Sequence, residues 1–420
     1  MIKDTILPHL FRTEYQKLVA VLCRLFGIEY IEIAEDIVSD TFLSAAELWG
    51  IKGMPENPTA WLYTVAKNKT KDYLKHHTVF SQKVSKVLQN NSETWSEPEI
   101  DLSVKNIRDS QLAMIFVVCN PCNAPQTQIS MALNLLCGFG AEEIASAFLM
   151  NKRSVYKRLQ RGKDRLRAAR VVIGQPSFPE IDARLKAVAT TLYLLFNEGY
   201  YSCGQNIALR RDLCSEAMRL TSMLIENDQT NRPFINALYA LMCFQSSRFN
   251  ARINVAGETI LYHNQDISLW DQEFIHKGIQ YLNLAAQGNT ISNYHLEAGI
   301  AYWNATVVDS PEKWEHILQL YNDLLILEYS PVAALNRTYA LYKVNGKAKA
   351  IVEAELINLK GHYLYHALLG ELYTDVDNSQ AIQHWQLALD LVHSIPDKAV
   401  IQAKILYCMA NNTTPYNNQH

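Results

Sequence analysis

No stretch of this 420-residue chain is both long and apolar. The longest run without a charged side chain, residues 110–141, is interrupted by Asn120, Pro121, Asn123, Pro125 and Gln126. Its purely apolar part, residues 112–119, falls far short of the roughly 20 residues that a membrane-crossing helix needs. The opening MIKDTILPHL lacks an apolar core of signal-peptide length. The eight cysteines are scattered without a disulfide framework, which suits a reducing compartment. A cytoplasmic protein with no membrane segment is therefore expected. Cys119 and Cys122 form a CxxC pair, but a zinc site needs two further ligands and only Cys137 stands nearby. No acid, histidine and nucleophile are grouped as a catalytic site requires, so neither an enzyme nor a cofactor or metal is expected. Strand signals are few. What is abundant is apolar sequence of helical period, 49% hydrophobic overall with a formal net charge of −3. At about 150 residues per domain the length suits roughly three domains.

Against this nearly neutral background, residues 141–170 (AEEIASAFLMNKRSVYKRLQRGKDRLRAAR) carry a strong local charge. Ile144, Ala145 and Phe148 share one helical face, and the small Ala145 lets a second helix cross close by. Leu149, Met150 and Asn151 form a turn. A second helix then starts near Lys152 with Val155, Leu159 and Leu166 as its buried stripe. From Lys152 to Arg170, nine basic residues face a single acid, Asp164, in nineteen positions. A helix of this kind suits the DNA major groove, where basic side chains pair with phosphates and those near the N-terminus reach base edges. Arg153, Ser154, Tyr156, Lys157, Arg158 and Arg161 occupy its start and exposed side and are the expected DNA contacts. A solvated face on an ordinary helical hairpin would carry the same charges.

Residues 8–78 read as a first unit. The spacing predicts a helix over 11–26, ended by Gly27, and a second over 33–49. In the second, Ile33, Ile37, Phe42, Ala45 and Leu48 suit the inside, and Glu32, Glu35, Asp36, Asp40 and Glu47 the outside. After a loop with Gly53, Pro55 and Pro58, Thr59 suits the cap of a third helix, AWLYTVAKNKTKDYLKHH. That helix is basic and aromatic, a combination that can hold a nucleic-acid strand by tracking the backbone and stacking on bases. Trp61 equally suits a core position. The acidic helix before it calls for a basic partner.

NPTAWLYTVAKNKTKDYLKHH closely resembles the second region of extracytoplasmic-function sigma factors, through Trp61, Leu62, Ala66, Asn68, Asp72 and Lys75. EDIVSDTFLSAAELW resembles the core-binding helix that precedes it in that family, and EEIASAFLMNKRSVYKRLQRGKDRLR resembles the family's fourth region. Three matches in family order are more specific than any one. The resemblance implies RNA polymerase core and promoter DNA as partners. It assigns Glu35, Asp36, Asp40 and Phe42 to polymerase binding. It assigns Lys52, Asn57, Trp61, Lys67, Asn68, Lys71 and Lys75 to the opened −10 element, and the helix-turn-helix at 105–170 to the −35 element. The turn at 149–151 lacks the glycine common in the wider family.

Residues 79–104, poor in apolar groups and carrying Glu93, Glu97, Pro98, Glu99 and Asp101, read as a flexible acidic linker. The break at Pro121 and the restart near Pro125 read as one helix ending and another beginning. Residues 180–410 are helical in period with a 34-residue echo: Leu335 and Leu369, Tyr339 and Tyr373, then Ala348 and Ala381. Trp385, Ala388 and Pro396 continue the second copy, and Ile317, Tyr321, Leu324 and Pro331 repeat its inner spacing. This is degenerate tetratricopeptide spacing, which stacks helix pairs and offers a groove to a peptide or protein partner. A helical bundle with an accidental period would read alike. LYLLFNEGYY at 192–201, where Gly199 suits a helix end, resembles the start of the long extension that one sigma subgroup carries.

The expected fold is all-α, with a region 2 domain at 8–78, a region 4 domain at 105–170 and a repeat domain at 180–410. The expected function is an alternative sigma factor with a modulating extension. A helix-turn-helix regulator with a tetratricopeptide-like sensor, or a helical-repeat scaffold that binds no DNA, are the rival readings.

Overall fold

The computed structural model describes residues 2–85, 100–148, 150–174, 178–201, 207–252, 260, 264–305, 309–357, 359–392 and 395–411. Among these the regular structure is helical throughout. The chain divides into two compact units, residues 1–231 and 232–420.

The first unit opens with α1 (Ile2–Phe26), α2 (Ile31–Lys52) and α3 (Pro58–Ser85). α1 starts at Ile2 rather than at Phe11. It ends where Gly27 adopts φ +96°, a conformation that side chains rarely take. A short 3-10 turn, Ile28–Tyr30, leads into α2. In α2 the inside positions are taken by Ile31, Ala34, Ile37, Val38, Phe42, Ala45 and Trp49. Leu48, expected inside, is 39% exposed, because Trp49 takes the inward position and its ring meets Trp61 edge-on at 5.3 Å. α3 is capped by Asn57, not Thr59: the Asn57 side-chain oxygen accepts from the Ala60 amide at 3.0 Å. The cause is Pro58, which has no N–H and a pre-set φ and so takes the first helical position. α3 runs to Ser85, into the segment expected to be linker, and the remainder of that segment as far as residue 99 lies outside the described residues.

Next come α4 (Val104–Val118), α5 (Pro125–Leu135), α6 (Ala141–Ala147) and α7 (Lys152–Ala168). The apolar run 112–119 is buried at every position, so the second half of α4 is apolar all round because it is covered all round. Each large side chain fully buried there contributes about 1.5–3 kcal/mol. Pro125 opens α5 as the spacing predicted.

Two more helices, α8 (Phe178–Tyr201) and α9 (Ile207–Ile225), complete this unit. α8 buries Leu185, Val188, Leu192, Leu195 and Phe196, packing on α4 and α5. The compact division thus falls at 231–232, well past the junction read from composition, because α8 and α9 bury their apolar faces on α4, α5 and α6. Gly199 does not end α8; it is buried inside the helix, which continues to Tyr201.

The second unit contains α10 (Pro233–Ser247), α11 (Phe249–Arg252), α12 (Gln272–Ala285), α13 (Asn293–Ala305), α14 (Pro311–Leu327) and α15 (Pro331–Asn345). α16 (Lys347–Glu355), α17 (Tyr363–Tyr373), α18 (Asn378–Leu391) and α19 (Ile395–Asn411) follow. From α13 to α19 each helix packs on the next, as stacked helical pairs do. The 34-residue echo maps onto this stack: Leu335 of α15 and Leu369 of α17 are buried in one core. Ala381, Trp385 and Ala388 of α18 build the adjoining core. Serine–proline pairs start α14 and α15, with Ser310 and Ser330 accepting from the amides of Lys313 and Ala333.

Candidate nucleic-acid interface

The charged helix α7 is capped and anchored by packing. Asn151 caps it, its side-chain oxygen accepting from the Ser154 amide at 2.8 Å. Val155, Leu159 and Leu166 are buried, as their spacing predicted. Gly162 completes that face by letting α7 approach α5 closely; a Cβ there would lie 2.5 Å from the Met131 sulfur and 2.9 Å from the Thr127 methyl. α6 precedes α7 across a turn in which the Met150 amide donates to Ala145 O at 2.8 Å. Leu149 lies outside the described residues.

This anchoring sorts the basic side chains. Arg153, Tyr156, Lys157 and Arg161 are exposed along one side, Tyr156 at 56%. Ser154 is half-buried at the first turn. Arg158 is half-buried and leans on α5, its guanidinium 3.4 Å from the Ser130 hydroxyl. Lys152 donates to Glu142 at 3.0 Å across the turn, which raises its pKa. Lys163 and Arg167, farther along α7, are engaged by acids. Lys163 is buried and meets Glu35 of α2 at 2.7 Å, and Arg167 pairs with Glu32 of α2 and, at 2.9 Å, with Asp164.

On α2, Asp36 and Asp40 are exposed one turn apart, whereas Glu35 is half-buried under α7. Phe42 is not beside the exposed acids but in the core, edge-on to Phe11 at 5.1 Å and 6.0 Å from Tyr15. Its ring is consumed by packing α2 on α1. Sequence reasoning overlooked the apolar groups that do stand outside here: Leu43 at 57% and Ile51 at 85% exposure. Leu43 is a large apolar group out of the apolar stripe of α2, a signal that was available.

On α3, Leu62, Ala66 and Thr70 face the core, and Trp61 is half-buried against Trp49. Lys67 and Lys71 are half-buried, while Asn68 and Lys75 are exposed. Lys52 and Asn57 are exposed in and beside the loop before α3, where Asn57 also serves as the cap. Tyr63 donates to Glu14 of α1 at 2.6 Å; burial, then this bond to a carboxylate, pushes the phenol pKa up.

The CxxC turn between α4 and α5 is a structural hub. Cys119 is buried and its thiol is pushed up to about 12, chiefly by desolvation, which disfavours the thiolate. The Asn123 side chain donates to Gly162 O of α7 at 3.2 Å. Gln128 of α5 donates to Asn123 O at 2.7 Å and accepts from the Thr191 hydroxyl of α8 at 2.7 Å. A buried hydrogen-bond chain therefore runs from α7 through this turn to α8.

Comparison with known proteins bears on this arrangement. Residues 10–79, spanning α2, most of α1 and most of α3, match sigma-70 region 2. The chain belongs to the sigma-70 family. The acidic, aromatic and basic side chains of α2 and α3 described above are thus those of a sigma region 2. Residues 184–286 of this sigma-family chain match a family of unknown function (DUF6596), a match that begins in α8. An uncharacterized protein of Rhizobium meliloti (strain 1021) is 30% identical over 390 residues, 91% of this chain and 92% of that protein. No solved structure matches. Among the described residues no helix is long and apolar enough to cross a membrane.

Proposed function

We propose that this sigma-family chain is an alternative sigma factor of the extracytoplasmic-function type. In this reading it binds RNA polymerase core in the cytoplasm and directs it to promoters, and it performs no covalent chemistry itself. The observation that carries the proposal is the pairing of two surfaces in one chain. One is a region 2 whose α2 exposes Asp36 and Asp40 beside apolar Leu43 and Ile51. The other is a capped α7 exposing Arg153, Tyr156, Lys157 and Arg161.

In this proposal the acids of α2 meet a basic polymerase surface. Lys52, Asn57 and the α3 residues Trp61, Lys67, Asn68, Lys71 and Lys75 take the opened −10 strand, where trapping an unstacked base favours melting. The segment 105–170 acts as region 4, with α7 in the major groove of the −35 element, and residues 79–104 link the two. The extension from residue 180 modulates activity, and its stacked helices suit a peptide or protein partner.

Run-off transcription with purified core polymerase on a library of genomic fragments, followed by mapping of start sites, tests the proposal. A shared pair of upstream elements at constant spacing is the expected result. A helix-turn-helix regulator would bind DNA but give no starts with core alone, and a scaffold would show neither binding nor a steep salt dependence.

A further inference from the structure

The acidic face of α2 already has a basic partner within the chain. Glu35 and Lys163, 128 residues apart, meet at 2.7 Å with side chains only 22% and 10% exposed, so water screens them poorly. One turn further along α7, Arg167 reaches Glu32. Further hydrogen bonds tie α1 to α4 and α5. The Gln16 side chain of α1 donates to Asn134 O of α5 at 3.1 Å, and Arg24 of α1 donates to the Asn106 side chain of α4 at 3.2 Å. α7 also packs on the 3-10 turn that leads into α2.

We infer that this arrangement is a closed form in which Lys163 and Arg167 mask the Glu32–Glu35 edge of α2, and that polymerase core docks only by displacing α7 from it. The inference rests on the reading of α2 as the core-docking surface. A polymerase surface that recognises Glu35 must supply a cation to the carboxylate, and Lys163 occupies that carboxylate already. Asp36 and Asp40 lie on the exposed part of the same helix and are open to a first encounter. Docking is then a two-step exchange: the exposed acids engage, and the polymerase cations replace Lys163 and Arg167. Lys163 and Arg167 are not among the residues proposed to touch DNA, so the switch costs none of those contacts.

A ligand whose site is masked binds with its intrinsic affinity reduced by the fraction of open protein. Weakening the latch therefore tightens core binding. The test uses the full chain and the double variant Lys163→Gln with Arg167→Gln, which removes both charges but keeps hydrogen-bonding side chains. Hydrogen exchange is measured over the turn 28–30, the first turns of α2 and the second half of α7, and core affinity is measured in parallel. The expected result is faster exchange in all three segments together with core binding about fivefold tighter, as two partly screened ion pairs imply. Unchanged exchange, or faster exchange with unchanged or weaker core binding, would overturn the latch. If neither the parent chain nor the variant binds core, the docking reading itself falls, a result distinct from equal binding by both. Should loss of Lys163 unfold the chain, Arg167→Gln alone carries the test, since that side chain is 25% exposed. It is expected to tighten binding about twofold, and no change or a weakening would count against the latch.

Discussion

The Thr191 hydroxyl donates to the Gln128 side-chain oxygen at 2.7 Å, joining helices whose partners lie 63 residues apart in the chain. Gln128 in turn donates to the carbonyls of Asn123, at 2.7 Å, and Asn120, at 3.0 Å. Gln128→Leu strips the Asn123 carbonyl of this donor and takes from the Thr191 hydroxyl its acceptor on α5, while Asn120 O keeps the Asn123 amide at 3.1 Å and Thr191 keeps its bond to Ala187 O at 3.0 Å. An unsatisfied buried polar group costs about 1–3 kcal/mol, and denaturant unfolding of the variant should show a loss of that size.

The same connection decides where the chain can be cut. Arg184 donates to Phe116 O of α4, and Arg219 donates to Leu136 O at 2.9 Å, just past α5. A protein ending at Arg170 loses these bonds and uncovers apolar faces of α4 and α5. It should aggregate or melt without cooperativity, whereas one ending at Asn231 should melt cooperatively. Equal behaviour of the two in a thermal scan would show that α8 and α9 do not support α4 and α5.

What was legible in the sequence was local. The Val155, Leu159 and Leu166 stripe, the restart at Pro125 and the paired Leu335 and Leu369 follow from helical period, a proline's missing N–H and a repeat length. Long-range choices were not legible. Glu35 and Asp36 are adjacent acids of one type, yet the first lies under α7 and the second is exposed. Nothing in local spacing separates them, because the difference is made by Lys163, more than a hundred residues away. Leu48 and Trp49 compete for one inward position, and the outcome depends on Trp61 across the loop. Lys163 reads as one more cation in a basic run until its burial is seen.

Exposed Arg161 and half-buried Arg158 of α7 make two kinds of contact distinguishable. Arg161→Ala should weaken promoter binding on all sequences alike and lower the slope of log affinity against log salt by about one, as loss of a phosphate contact does. Arg158→Ala, nearer the start of the helix, should cost about 1–3 kcal/mol at one base position. A uniform loss would reassign Arg158 to a phosphate or to its packing on Ser130.

Asp36 and Asp40 are exposed one turn apart on α2. Asp36→Arg with Asp40→Arg reverses two charges on one face without touching the core. Pull-down of polymerase core should fail while the circular dichroism spectrum is unchanged. Retained pull-down would remove these acids from the docking surface.

The most direct measurement is transcription from a linear template, carrying one promoter mapped with this chain, by purified core polymerase. Full-length transcript should appear with the full chain and not with core alone, and the Asp36→Arg, Asp40→Arg variant should abolish it. Absence of transcript with the full chain bound to both core and template would contradict the account.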